Sequence, residues 1–362
     1  MRIGIDVSMI DANKAGIGYY AYSLLQALTE LDTENEYFLL TYNKELINDI
    51  KLPSNFSVIE VLGTGNLKWM IKCIPIVNKL HLDQFLSPSN LFWGCILPNC
   101  TTVIHDIAQV VHPEFFYKKG NLFYKIELNI LLKRKGTIIV PTKSVAAELN
   151  RKFKNIKPHV YTVTEGLHEW VFLPQSTERN IQVKQKYNLP ENYVLFVGTL
   201  EPRKNIETLI RGFHEFIKEN PDYKLAIAGK KGWFYEQIYR VVEDLKLSDS
   251  VIFLGYVPES DLPFVYDLSQ FVVNLSFYEG FGLPLIEANA RNKMILASNI
   301  DVYREFDIEG GFVDPNELPS RIALAMNELK NKNANNFARI SDTYSWKLAA
   351  SQLLEIWLKT AK

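Results

Sequence analysis

"NYVLFVGTLEPRKNIETLI", residues 192–210, runs from a strongly apolar stretch through a glycine-led turn carrying two cations into a helical pattern that begins at about Asn205. A short apolar run rich in β-branched and aromatic side chains is what a strand buried on both faces requires, and a strand that enters a helix through a brief loop is the unit of a parallel, helix-covered sheet. The same alternation continues downstream. "KLAIAG", a helix around 233–245, "VIFLGYV", a short helix after Pro258, "FVVNLS", the loop and helix of "FYEGFGLPLIEANARN" (277–292) and "MILAS" follow in turn. Upstream it has a counterpart: strands at "RIGIDVS", "YFLLTY", "SVIEVL", "QFLSP", "TTVIHD", "GTIIVPT" and "VYTVTEG", with helices near 17–31, 68–81, 117–134 and 143–153. Thr142 or Ser144 is suited to cap the last of these. Between the two series "LHEWVFLPQSTERN" has no regular period and reads as a linker. The expectation is an α/β protein of two domains, 1–167 and 168–344. The amphipathic end at 345–362, with Trp346, Leu348, Leu353, Leu354, Ile356, Trp357 and Leu358 as its apolar positions, is expected to pack back on the first domain.

Length and composition agree with two cores: 362 residues, 47% hydrophobic and 22% charged. The formal charge of −1 gives no case for nucleic acid. It conceals an asymmetry, however, because residues 51–160 carry fifteen Lys or Arg against six Asp or Glu. Such a surplus suits an anionic partner. In "NLKWMIKCIPIVNKL" and "YKKGNLFYKIELNILLKRKG" the cations alternate with aromatic and aliphatic residues, the pattern of a helix lying on an anionic membrane, although a solvated helix face has the same composition. Cys73, Cys95 and Cys100 have neither zinc-ligand nor disulfide-framework spacing. The start "MRIGIDVS" enters a strand without the regions of a signal peptide, and no apolar run has the length of a membrane span. A cytoplasmic protein is expected, with peripheral contact on the inner face of the cytoplasmic membrane left open.

The loops that follow strands carry the chemistry, as open α/β sheets place their ligands there. Arg203 and Lys204 combine a guanidinium fork with an adjacent ammonium, a set that suits a diphosphate, though a solvated pair reads the same way. In "FYEGFGLPLIEANARN" Glu279 precedes Gly280 and Gly282, whose lack of side chain admits close backbone approach to a ligand. Pro284 suits a first helical turn, which places Glu287 inside that turn, where a carboxylate also complements the helix dipole. Gly16 and Gly18, with Ala21, match a dinucleotide fingerprint in letters, but about eight residues of loop separate them from the first strand, so they read as a glycine loop near a ligand rather than a nicotinamide site. His105 and Asp106 end a strand. Being sequence neighbours they cannot stack as base and orienter of a triad, and a histidine bonded to backbone is the plainer reading.

Taken together these segments resemble the retaining GT-B glycosyltransferases of group 1, or family 4, over essentially the whole chain. "EGFGLPLIE" matches the family's E-x7-E motif, and "GTLEPRKN" with "HDIAQVVHPEFF" is most similar to the branch of mannosyltransferase-B-like enzymes that build bacterial surface polysaccharides. The resemblance implies two Rossmann-like domains facing a central cleft, with a nucleotide sugar, GDP-mannose first among candidates, as donor and a glycan or glycolipid as acceptor. It implies that Arg203 and Lys204 neutralise the diphosphate, that Glu287 binds ribose, and that Glu279 with the amides of Phe281 and Gly282 holds the sugar. Gly198, Gly280 and Leu283 would line the donor site and Tyr256 would lie near the base. His105 would approach the sugar from across the cleft, Asp106 would lie on the acceptor side, and the Gly16–Gly18 loop would come close to phosphates or acceptor. No cofactor or metal is implied. Thr199 departs from the arginine many relatives carry after the glycine, leaving the phosphate charge to Arg203 and Lys204. A related epimerase or phosphorylase, or a partner subunit without activity, would keep a similar fold.

Overall fold

The computed structural model describes residues 1–10, 16–335 and 337–360, which divide into two compact units: Met1–Gly166 joined by the segment from Tyr344 onward, and Leu167–Thr343. Part of the loop preceding Gly16, residues 11–15, lies outside the described residues.

Among the described residues the first unit holds a seven-stranded sheet of β1 (Arg2–Asp6), β2 (Glu36–Thr41), β3 (Phe56–Glu60), β4 (Gln84–Ser87), β5 (Cys100–Val103), β6 (Thr137–Val140) and β7 (His159–Thr162), in the order β3-β2-β1-β4-β5-β6-β7. Every pairing is parallel, with Ile3 opposite both Tyr37 and Gln84. The crossovers are α1 (Ile17–Leu31), α2 (Leu67–Lys79), α3 (Leu91–Ile96), α4 (Ala108–Val111), α5 (Lys118–Leu132) and α6 (Lys143–Lys152). Thr142 caps α6 by accepting from the Val145 amide.

The second unit, among the described residues, holds a six-stranded parallel sheet of β8 (Asn192–Val197), β9 (Tyr223–Ala228), β10 (Val251–Gly255), β11 (Phe271–Asn274), β12 (Ile295–Ser298) and β13 (Gly310–Val313), ordered β10-β9-β8-β11-β12-β13. Its helices are α7 (Thr177–Lys186), α8 (Ile206–Phe216), α9 (Glu236–Asp244), α10 (Leu262–Leu268), α11 (Leu283–Ala290), α12 (Asp301–Arg304), α13 (Pro319–Leu329) and α14 (Phe337–Thr343). The terminal helix α15 (Trp346–Thr360) returns to the first unit, where Ala349, Ala350, Leu353, Ile356 and Trp357 enter the core beside Leu24 and Leu28 of α1.

Three expectations need correction. Residues 167–180 are ordered rather than a bare linker: a 3-10 turn covers Glu169–Phe172 and α7 starts at Thr177, with the Ser176 side chain accepting from the Arg179 amide. The turn's anchors are isolated contacts, so it leaves no period in the sequence. On α15 the expected apolar positions Leu348 and Leu358 are 40% and 62% exposed, because alanines at 349 and 350 allow the close approach to α1 and turn the buried stripe toward them. The third concerns Glu287 and belongs with the site. β13, α13 and α14 carry no expectation at all; two glycines in β13 weaken its strand signal.

Strand order decides where a site can form. Each sheet reverses direction of growth once, at β1/β4 in the first unit and at β8/β11 in the second, and open α/β sheets place ligands at the carboxyl ends of such neighbours.

Candidate functional site

At the second reversal the loop after β8 supplies Gly198–Lys204 and the loop after β11 supplies Ser276–Gly282. They are sewn together by backbone and side chain. The Phe277 amide donates to the Arg203 carbonyl at 2.9 Å, and Asn205, in the left-handed region at φ 54°, reaches from the start of α8 to the carbonyl of Leu275 at 3.0 Å. Lys204 and Arg203 sit on a 3-10 turn (Pro202–Lys204) that aims both at Glu279. Lys204 Nζ donates to Glu279 Oε1 at 2.5 Å and Arg203 Nη1 to Oε2 at 2.6 Å, while Ser276 Oγ adds a third bond at 2.7 Å. Arg203 also donates to the Tyr278 carbonyl and, from Nε and Nη2, to Glu201 Oε1 at 3.0 and 2.7 Å.

The outcome is a group of two partly buried cations and two buried carboxylates. Burial by itself would raise the Glu279 pKa, but the charges of Arg203 and Lys204 with the Lys204 and Ser276 hydrogen bonds overcome it and hold the carboxyl down at about 2. Glu201 moves the other way, since its burial outweighs the same cations. The cation pair is therefore charge-compensated as it stands. A ligand that displaces Glu279 from it would gain two directed donors at once.

The neighbouring glycines are demanded by contact. Gly282 has φ 144°, and a Cβ there would lie 2.7 Å from the Tyr303 ring, while one at Gly229, in the loop after β9, would fall 1.8 Å from the Gly198 carbonyl oxygen. Gly280 and Phe281 are buried, Phe281 edge-on to Phe306, and Leu283 is partly exposed as the first residue of α11. Because the helix begins at Leu283, Pro284 is its second residue and Glu287 falls in the second turn, not the first as expected. Helix amides do not cap it. Its Oε2 accepts from the Tyr266 hydroxyl at 2.9 Å and its Oε1 lies 3.5 Å from His168 Nε2. Burial raises the Glu287 pKa against the opposing pull of His168 and Tyr266.

Tyr256 follows β10, is 42% exposed, and carries Lys230 Nζ 4.5 Å above its ring. Lys230 was not singled out from the sequence, nor were His168, Tyr266, Ser276 and Tyr303. The signal for Lys230 was present as "AGKKGW" at the end of β9; the others lacked a motif. Thr199 is exposed beside Gly198.

In the first unit the candidate residues also follow strands. Gly16, exposed and at φ 56°, stands at the start of α1, and Gly18 is buried in its first turn. His105 Nε2 donates to the Pro88 carbonyl at 2.8 Å, Nδ1 lies 3.2 Å from Glu165 Oε1, and Tyr20 meets the ring edge-on. An acceptor on each side calls for a proton on each ring nitrogen. Burial alone would lower the His105 pKa, but the hydrogen bond and charge of Glu165 and the Pro88 carbonyl raise it. The backbone-bonded reading of His105 and the presence of a nearby charge thus both hold. Asp106 accepts from the Ala108 amide at 2.9 Å, closing the turn into α4. Among the described residues there is no group of three or more His, Cys, Asp or Glu that could hold a metal ion, and no helix long and apolar enough to cross a membrane.

Comparison with known proteins agrees with this layout. Residues 177–343 match the family of glycosyl transferases group 1. The O-antigen chain mannosyltransferase B of Escherichia coli is 26% identical, with 99% of each chain covered. The O-antigen chain mannosyltransferase RfbU of Salmonella typhimurium is 29% identical over 61% of this chain and 58% of its own length. Among solved structures, sucrose-phosphate synthase from Thermosynechococcus elongatus superposes with a TM-score of 0.77 at 19% identity, covering 99% of this chain and 98% of its own. Anabaena HepE in complex with UDP and glucose gives 0.77 at 16%, covering 99% and 100%. With two Rossmann-like parallel-sheet units of the GT-B class and a group 1 glycosyl transferase domain over residues 177–343, the chain is a glycosyltransferase.

Proposed function

We propose that this glycosyltransferase moves mannose from GDP-mannose, with retention at the anomeric carbon, to a glycan or lipid-linked acceptor in the biosynthesis of a bacterial surface polysaccharide. The observation that carries the donor side is the Arg203–Lys204–Glu279 cluster at the β8/β11 reversal, where a diphosphate can replace a carboxylate on two fixed cations. The mannose assignment is supported by the names of the curated relatives. In this reading Arg203 and Lys204 take up the charge that develops as the sugar–phosphate bond breaks. Glu279, released from them, accepts from sugar hydroxyls beside the amides of Phe281 and Gly282. Glu287 accepts from ribose, Tyr256 faces the base, and Gly198, Gly280 and Leu283 line the donor.

On the acceptor side the acceptor oxygen attacks the anomeric carbon from the face the phosphate leaves, and its proton passes to a departing phosphate oxygen, so no enzymic nucleophile is required. His105, with both ring nitrogens engaged, serves as a fixed positive charge rather than a proton acceptor, and Asp106 and the Gly16–Gly18 loop serve acceptor binding. Leaving-group charge rests on side chains, not on a metal. A peripheral cytoplasmic-membrane location accompanies a lipid-linked acceptor: on α5 Leu122, Phe123, Ile126 and Ile130 are exposed at helical spacing beside Lys118, Lys125 and Lys133.

The test is a panel of nucleoside diphosphates in thermal unfolding, followed by turnover of the matching nucleotide sugars with and without EDTA. GDP should raise the midpoint as the logarithm of its concentration over Kd, and GDP-mannose should be consumed at an unchanged rate in EDTA with an α-linked product. Stabilisation by UDP alone would overturn the donor base; acceptor-independent hydrolysis or phosphate-dependent cleavage would move the reaction to an epimerase or phosphorylase.

A further inference from the structure

Both oxygens of Glu287 are addressed from outside its own helix, one from α10 and the other from a strap at 168–173 that the strand–helix alternation does not require. Tyr266, on α10, donates to Oε2; His168, at the start of the strap, faces Oε1 and on its other side lies 3.3 Å from Glu259 Oε1. Trp170 of the strap stacks on the Tyr266 ring, centroids 5.6 Å apart and planes 20° from parallel. Arg291, one residue past α11, is paired with Asp267 and donates to the carbonyls of Val171 and Leu173, clamping the strap to the helix that carries Glu287. Tyr266, Trp170 and Glu287 are all buried.

Stability does not explain this arrangement. A buried carboxylate held by two polar partners is commonly no more stabilising than an apolar residue of its size. What two partners on two oxygens do provide is orientation, and oriented acceptors matter where a ligand's hydroxyls must be met without reorganisation. We propose that His168 and Tyr266 are positioning residues that, through the 168–173 strap, fix the Glu287 carboxylate for the ribose of the donor nucleotide. This rests on the donor-side reading of Glu287.

The experiment uses the full chain with Tyr266→Phe, which keeps the ring stack and removes one hydroxyl, and His168→Gln, each alone and combined with Glu287→Gln. Calorimetry measures GDP Kd and steady-state kinetics separate donor KM from kcat. Each single variant should weaken GDP roughly three- to tenfold and raise KM similarly, the size of one lost hydrogen bond of about 1 kcal/mol, with kcat within about twofold. In the Glu287→Gln background neither should weaken GDP further, because the group they position is already altered. Unchanged GDP affinity in both single variants, or the same loss with and without Glu287→Gln, overturns the positioning role. If Glu287→Gln itself leaves GDP binding unchanged, the donor-side reading fails instead, a result distinct from the first. Should Tyr266→Phe fail to fold, His168→Gln, at a partly exposed position, carries the same comparison.

Discussion

Glu279 compensates Arg203 and Lys204 directly. The proposed donor binding requires that a diphosphate take its place on both cations. Removing either cation strips the leaving group of a preorganised charge, so Arg203→Ala and Lys204→Ala are each expected to lower turnover roughly ten- to a thousandfold, about 1.5–4 kcal/mol, measured under conditions where circular dichroism shows an intact fold. Arg203→Ala should also lower the unfolding midpoint more than Lys204→Ala does, since it alone leaves Glu201 without its guanidinium partner. Near-wild-type rates for both would refute the assignment. The glutamates should separate by ligand. Glu287→Gln is expected to weaken GDP; Glu279→Gln, which leaves the cations less compensated, should bind GDP at least as well as wild type but GDP-mannose less well. Calorimetry of two ligands on two variants checks this, and one common loss across all four pairings contradicts it. At this scale Arg203, Lys204 and Glu279 were legible, because each lies in a glycine-containing loop just past a strand. Their mutual pairing was not: residues 75 and 76 apart in sequence meet only because β8 and β11 are neighbours.

Elements show the same division. The period of α15 announces an amphipathic helix, but its apolar residues are too many for one face, and only its seat against α1 selects among them. Trp357 is fully buried, its indole N–H donating to Thr101 Oγ1 at 3.0 Å. Trp357→Ala should therefore cost about 3–5 kcal/mol in denaturant unfolding, whereas Leu358→Ala, on the exposed side, should stay within about 0.5 kcal/mol. Equal costs would mean the helix sits otherwise. On α5 the inward residues Leu128, Leu131 and Leu132 are buried and Leu122, Phe123, Ile126 and Ile130 are not, an apolar strip flanked by lysines. Sedimentation with vesicles should show binding that rises with anionic lipid content and falls with salt, at about 1 kcal/mol for each basic residue near the surface. Phe123→Ser with Ile126→Ser should weaken it without changing that salt dependence, while neutralising Lys118, Lys125, Lys133, Arg134 and Lys135 should flatten it. Protein left in the supernatant at low salt removes the membrane reading and leaves the transferase standing.

Across the whole molecule, Glu279 and His105 are two of the groups whose shifts make stability depend on pH. Glu279 has its carboxyl depressed to about 2, so the stability it contributes is complete above the ordinary carboxylate range near pH 4.5 and is lost as pH falls toward 2. His105 is raised above 6.5, so its contribution is complete below that value and is lost as pH climbs through the raised pKa. Unfolding midpoints against pH should fall on both sides of a weakly acidic to neutral plateau, with Glu279→Gln flattening the acid limb and His105→Gln the alkaline limb; limbs unmoved by these variants would place the titration elsewhere. The amino-acid sequence by itself determined the alternation of strand and helix, the two repeats of it, and the positions just past strands where polar and glycine residues gather, because these follow from local periodicity and backbone preference. The strap at 168–173, the turn of α11 that carries Glu287, the buried side of α15 and the meeting of Glu279 with two distant cations were decided only by tertiary structure. Each depends on which strands lie side by side and on single long-range contacts, such as Trp170 on Tyr266, that leave no repeating mark in the chain.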